Sequence, residues 1–231
     1  MIEEETLFVL GAGASKPYNF PVARELREYI ITRFQTDYIN CLNVTQPSGS
    51  QSFDAIYKPF CDVFRKSSIY SIDKWLSMNP RYVTQGKEAI ITNMLYSETN
   101  SAFRENSPDG EDWYSFLYNR MIDTFKDKTD FDKFAKNNIA FLTYNYDRSL
   151  EHFIYESFCN TFFEDRIEDQ ISLAMHNNLI PFPFIHIYGK VDNVRWRGGS
   201  DYGDSIDFSR IQKLSGNIRV IGERTSDEVE Q

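Results

Sequence analysis

Gly11, Ala12, Gly13, Ala14 and Ser15 follow an apolar run without interruption, and Asn145, Asp147 and His186 stand far downstream, at the ends of two further apolar runs. Small residues directly after a strand let main-chain N–H groups approach an anion, because a side chain at Gly11 or Gly13 would hold a phosphate away from that backbone. Asparagine offers a donor and an acceptor on one amide, and aspartate offers fixed negative charge. Histidine is the side chain able to take or give a proton near neutral pH. Together these residue types suit the binding of an anionic ligand and a proton transfer beside it.

Such residues need a frame. Thr6–Leu10 reads as a buried parallel strand. The apolar positions Val22, Leu26, Tyr29, Ile30 and Phe34 have helix spacing, with Pro21 suited to a first turn. Residues 40–52 are polar and read as a loop. From Phe53 to about Phe134 the pattern is helical throughout, with Ser71 a cap for the helix over 71–76 and further helices over Ala89–Phe103 and Trp113–Phe125. The sheet resumes at Ile139–Thr143, and Asp147 has the position of a cap for a helix through Leu150, Ile154 and Phe158. Residues 164–169 read as a solvated charged face. Pro183–Gly189 is a strand ending in a turn, Gly198–Gly203 a flexible loop, Asn217–Gly222 a last strand and 223–231 a frayed tail. The expected fold class is α/β: a Rossmann-like, mostly parallel sheet flanked by helices, with residues 37–135 a helical insertion within one domain spanning 1–231. Polar residues at the carboxyl ends of parallel strands are where open α/β sheets place ligands.

Composition narrows the partners. With 231 residues, 41% of them hydrophobic and 16% aromatic, the chain can bury a large core. A formal net charge of −9 argues against a broad nucleic-acid surface. The three cysteines, Cys41, Cys61 and Cys159, are widely spaced and contain no Cys-x-x-Cys, so no zinc ribbon or redox dithiol is encoded locally. Wide cysteine spacing without a leader pattern fits the cytoplasm, and no apolar run approaches the roughly 20 residues of a membrane span. No metal site is expected. The usual dinucleotide fingerprint is incomplete, with Lys16 where a third glycine belongs, and no phosphate-loop Gly-Lys-Ser/Thr occurs.

In order and spacing, Gly-Ala-Gly-Ala-Ser at 11–15, Thr-Tyr-Asn-Tyr-Asp at 143–147 and His-Ile-Tyr-Gly at 186–189 resemble the sirtuin-like family. The closer likeness is to its bacterial branch of NAD-cleaving effectors in anti-phage defence. Pro-Tyr-Asn-Phe-Pro at 17–21, Ser-Ile-Asp-Lys-Trp-Leu at 71–76 and Val194-Arg195-Trp196 followed by Tyr202-Gly203 are similar to that branch as well. The resemblance implies that NAD+ is the substrate, with Gly11, Ala12, Gly13 and Ser15 along its pyrophosphate, Asn145 beside the nicotinamide ribose, Asp147 toward the carboxamide and His186 as the catalytic histidine near the ribose hydroxyls. It adds Phe20, Tyr188 and Gly189 as cofactor contacts, and Asp73 as a residue closing the pocket from the helical insertion.

The expected activity is hydrolysis of NAD+ to ADP-ribose and nicotinamide. The expected setting is a homo-oligomer or a complex with an activating protein partner or phage component, because unrestrained NAD+ loss would harm the host. The departures carry information too. The four-cysteine ribbon of sirtuin deacylases is absent, which turns the reading away from protein deacylation. The family's C-terminal small-residue nucleotide motif is not found before Gln231, so the chain reads as the N-terminal part of a longer protein or as one completed by a partner. Two other functions compete: a module that senses NAD+ or ADP-ribose without cleaving it, and a scaffold that oligomerises through its helical middle. Residue by residue, Asp147 also reads as a helix cap, Asn145 as a turn residue and His186 as a core histidine; His152 and His176 read as structural.

Overall fold

Thr6–Leu10 (β1), Ile139–Thr143 (β2) and Phe184–His186 (β3) form a parallel sheet in the order β1-β2-β3. They are seen in a computed structural model that describes residues 1–45, 53–101, 112–163 and 179–223. Among the described residues the α-helices are, in chain order, α1 (Ala12–Ser15), α2 (Ala23–Thr32), α3 (Phe34–Thr45), α4 (Phe53–Ile56), α5 (Lys58–Lys66), α6 (Ile72–Met78), α7 (Val83–Thr99), α8 (Trp113–Ile122), α9 (Ser149–Phe162) and α10 (Phe208–Ser215). The protein is thus α/β, with a small parallel sheet flanked by helices. None of these helices is long and apolar enough to cross a membrane.

The chain divides into two units. The first comprises Met1–Phe20, Asn100–Ile187 and Asp192–Tyr202, and holds the sheet with α1, α8 and α9. Phe8 and Phe184 stand on either side of Phe141 in register, and the three rings stack with centroids 5.3 and 4.6 Å apart. This ladder lines the covered face. The opposite face is largely exposed among the described residues: Leu7, Val9 and Ile185 are 58%, 60% and 50% exposed. Thr6–Leu10 is therefore half-buried on one side and exposed on the other, not buried on both as its apolar run suggests. The strand order explains this. Parallel crossovers of the usual right hand that run from one strand to the next without reversing direction put their connections on the same face. Covering the second face takes strands beyond β1, and none pairs with its outer edge among the described residues.

The second unit comprises Pro21–Thr99, Tyr188–Val191 and Gly203–Gln231, and its described residues are mainly helical. Its core is aromatic. Tyr38 packs against Phe53, Tyr57 and Phe208 at centroid distances of 5.3, 4.5 and 5.3 Å, and Trp75 against Phe64 and Tyr82 at 5.0 and 5.5 Å. Buried Glu88 accepts a 2.5 Å hydrogen bond from Tyr57, and burial pushes its carboxyl above the usual range.

Several element boundaries differ from the sequence reading. The helix expected over 22–34 ends at Thr32, and α3 then carries the chain to Thr45, so residues 40–45 are helical and not loop. Buried Phe34, Tyr38 and Cys41 form an i, i+4, i+7 stripe, which outweighs the polar composition around them. Pro21 lies just outside α2, whose start is closed by the Glu25 carboxylate accepting from the Val22 N–H at 3.1 Å. Helix α7 begins at Val83 and ends at Thr99, and α8 ends at Ile122. Ser71 caps α6 as expected, accepting from the Lys74 N–H at 3.2 Å.

Asn217–Gly222 is not a strand but a single antiparallel bridge between Ile218 and Gly189. Preceding it is α10, which the sequence reading missed. Its Asp207 cap and buried Ile211 and Leu214 are short signals inside a Ser- and Asp-rich stretch. Residues 46–52, 164–169 and the tail beyond Glu223 lie outside the described residues.

Candidate functional site

In the first unit, β1, β2 and β3 all end at the same edge of the sheet. The register pairs Leu10 with Thr143 and Thr143 with His186, so the residues that follow each strand emerge side by side. Asn145 ties them together. Its N–H donates to the Thr143 hydroxyl at 3.0 Å, which folds the chain back as it leaves β2. Its Nδ2 donates to the Gly11 carbonyl and to Ser15 Oγ, both at 3.0 Å. Its own carbonyl faces Nδ1 of His186 at 3.0 Å. A carbonyl oxygen only accepts, so Nδ1 carries the proton and Nε2 presents a lone pair when the ring is neutral.

Two acceptors stay unsatisfied in this cluster. Asn145 Oδ1 and His186 Nε2 are both closed from solvent, and among the described residues neither has a hydrogen-bond partner. A buried polar atom without a partner costs about 1–3 kcal/mol. Nε2 lies 3.7 Å from Glu151 Oε2, a carboxylate on the first turn of α9 that is itself buried. On the far side of Glu151, Oε1 is 3.9 Å from Nη1 of Arg197.

Asp147 is buried and its bonds run inward. Its Oδ1 accepts from the N–H and hydroxyl of Ser149, and the carboxyl also bonds to Ser15. Burial pushes this carboxyl above the ordinary carboxylate range; the Ser149 and Ser15 bonds and nearby His186 pull the other way. The N-cap of α9 is Arg148, with no side-chain cap bond, so Asp147 stands one residue before the cap position expected of it; its bond to the Ser149 N–H closes the turn that leads into α9, and the Ser15 contact reaches the small-residue turn. Tyr114 completes the chain of bonds, 2.8 Å from Ser149 Oγ and 3.5 Å from Ser15 Oγ.

The small-residue turn is exposed at Gly11, Ala12 and Gly13 and buried at Ser15. A Cβ built on Gly11 or Gly13 meets nothing within 4 Å, and neither residue has positive φ. The fold itself therefore does not require glycine at either position. Helix α8 holds the turn from behind. Trp113 Nε1 donates to the Ala14 carbonyl at 2.8 Å, and the Tyr114 ring stacks on Tyr18 at 3.7 Å. Tyr18 donates its hydroxyl to Asp112 at 2.8 Å and accepts from the Tyr114 N–H at 2.7 Å. Phe20 is buried, with its N–H on the Ser15 carbonyl at 3.3 Å.

The loop expected to be flexible is tied down within this unit. Buried Arg148 donates to the carbonyls of Asn193, Ser200 and Asp201. Asp192 accepts from the Ser200 N–H and hydroxyl at 3.0 and 2.7 Å. His152 stacks on Tyr202 at 3.9 Å, and His176 lies outside the described residues.

Asp73, Tyr188 and Gly189 belong to the second unit. Asp73 is in the first turn of α6. The Tyr188 carbonyl accepts from the Arg219 N–H at 2.8 Å. Gly189 has φ of 75°, and a Cβ there would sit 2.0 Å from the Asn217 carbonyl oxygen, so local packing accounts for this glycine.

Glu151, Arg197, Trp113 and Tyr114 were not singled out from the sequence as site residues. Glu151 did leave a signal: it shares an i, i+3, i+7 stripe with Ile154 and Phe158, an acidic residue on an apolar helix face. Burial pushes the Cys61 and Cys159 thiols up to about 12, which keeps them protonated and unreactive. Among the described residues no three His, Cys, Asp or Glu side chains gather as a metal site would require.

The fold and site define an α/β protein with a polar cluster at the carboxyl edge of a small parallel sheet. No family model, no curated protein and no solved structure matches this chain.

Proposed function

We propose that the first unit binds NAD+ at this edge, as part of a Rossmann-like sheet, and hydrolyses it to ADP-ribose and nicotinamide. The observation that carries the reading is the pair of unsatisfied buried acceptors, Asn145 Oδ1 and His186 Nε2, joined through the Asn145 carbonyl beside the Gly11–Ser15 turn. Ribose hydroxyls would supply the donors those atoms lack. Glycines that the fold does not require leave backbone open to a pyrophosphate.

The chemistry asks little of a nucleophile. The C–N bond to ribose breaks with its electron pair leaving on neutral nicotinamide, and the ribose carbon becomes cation-like. Water oxygen then bonds to that carbon, and the proton it releases passes to His186 Nε2. The protein's task is to grip, orient and place water. Asn145 aligns ribose or water, and Asp147 sets Ser15 and the start of α9 beneath the nicotinamide. An anti-phage effector in the cytoplasm, switched on by self-assembly or by a protein or phage partner, is the setting we infer. The family resemblance of the three motifs supports it.

The test is direct. Purified protein, alone and with candidate partners, is incubated with NAD+ and nicotinamide is followed by chromatography. Release that is lost in Asn145→Ala and His186→Ala supports the reading; folded protein that releases none under any activating condition overturns it. One observation favours a second reading, a sensor that binds NAD+ or ADP-ribose without cleavage: Nε2 of His186 is closed from solvent. A sensor binds tightly, releases no nicotinamide and is insensitive in turnover to His186→Ala.

A further inference from the structure

We propose that Glu151 is a positioning residue for His186, held in turn by Arg197; the proposal rests on the reading of His186 as the group that takes a proton. The imidazole is hydrogen-bonded at one nitrogen and faced by a carboxylate at the other. Nδ1–H is committed to the Asn145 carbonyl at 3.0 Å, and Nε2 faces Glu151 Oε2 at 3.7 Å. The Glu151 side chain is 1% exposed and the His186 side chain 6%, so water screens this pair little. A bare lone pair opposite a carboxylate oxygen is repulsive in such a setting. It becomes attractive once Nε2 holds a proton, because an imidazolium then faces a carboxylate.

Glu151 thus stabilises the charge that forms on His186. In that step an O–H bond of water or a ribose hydroxyl breaks, the N–H bond forms at Nε2, and the electron pair stays on oxygen. The groups facing the ring are Glu151 from α9 and Asp147 from the turn before α9.

Arg197 fixes the other end. Its Nη1 is 3.9 Å from Glu151 Oε1, and its Nη2 donates to the Phe182 carbonyl at 3.2 Å. Its guanidinium lies 4.5 Å from the Trp196 ring centroid and 5.6 Å from that of Phe184. The line Asn145 carbonyl, His186, Glu151, Arg197 draws on the turn after β2, β3, α9 and the short helix Arg195–Arg197.

Two measurements test the proposal. The first is steady-state kinetics on Glu151→Gln and Glu151→Asp, each checked for folding by circular dichroism. Gln keeps the size, removes the charge and can donate to Nε2, blocking the lone pair. We expect kcat for nicotinamide release to fall about tenfold or more in Gln with KM little changed, and Asp to retain more activity than Gln. A merely packed side chain gives the reverse order, and that order overturns the proposal.

The second needs no turnover. With three histidines in the chain, the ring nitrogens of His186 are accessible to 15N NMR. We expect the wild-type proton on Nδ1, exchanging slowly, and exchange at least about tenfold faster in Glu151→Ala. A wild-type ring protonated at Nε2 with Nδ1 bare, or equal exchange in wild type and variant, overturns the proposal. If the ring signals behave as expected and wild type releases no nicotinamide, the pairing stands and the hydrolase reading falls.

Discussion

Nδ1 of His186 lies 3.0 Å from the main-chain carbonyl oxygen of Asn145. Because the Asn145 amide also spans Gly11 and Ser15, this one contact connects the ends of all three strands. Asn145→Ala removes two hydrogen bonds, one to the carbonyl of exposed Gly11 and one to buried Ser15. The variant should lose about 1–3 kcal/mol of stability along with nicotinamide release. Urea unfolding monitored by fluorescence, beside the chromatographic assay, checks both. Wild-type stability in the variant would mean that Asn145 does not join the strand ends.

Gly11 and Gly13 separate folding from binding. Since a Cβ at either meets open space, Gly11→Ala and Gly13→Ala should fold as wild type does. Gly13, inside α1, should gain up to about 1 kcal/mol. Binding of NAD+ should weaken tenfold or more, read by calorimetry. Unchanged affinity in both variants would remove the turn from the site.

Asp147 makes a prediction about pH. Its folded-state carboxyl is raised above the ordinary 3.8 by burial, so it holds its proton to higher pH folded than unfolded. The folded chain then binds more protons across the window that opens at 3.8, and stability falls as pH rises through it. Asp147→Asn lacks that term, while its amide oxygen can still accept from Ser149. Denaturation at a series of pH values should show wild type losing stability relative to the variant as pH rises from about 4, and a constant difference below that. A difference independent of pH would contradict the buried, raised carboxyl.

The two faces of the sheet should respond oppositely. Val9 is 60% exposed, and Val9→Lys should change stability by no more than about 0.5 kcal/mol. Phe141 is fully buried and central in the ring ladder, and Phe141→Ala should lose about 3–5 kcal/mol. Chemical denaturation of both variants is the check; a costly Val9→Lys would show that the outer face is covered.

Much of the frame was legible from residue order. Each strand was locatable because a β-branched or aromatic apolar run ends in small or polar residues, and the Ser71 cap because a Ser preceding an apolar helical face leaves few alternatives. The two helical stretches not expected from the sequence have one origin. Residues 40–45 and 208–215 are polar on average, and their few apolar side chains count only once a neighbour is present to bury them. The helices there are decided by packing and not by propensity.

The site divides in the same way. Local pattern placed Gly11, Ser15, Asn145, Asp147 and His186 at strand ends, and the resemblance of the three motifs to a known family singled them out as site residues. Only the tertiary structure decided that Asn145 bridges β1 and β3, that Asp147 turns inward to Ser15, and that Glu151 faces His186. Those are contacts between segments tens to more than a hundred residues apart, set by strand register and helix rotation, and a local pattern contains neither. The exposed face of β1 has the same cause: an apolar run specifies what a strand can bury, whereas strand order and crossover direction decide which side of it is covered.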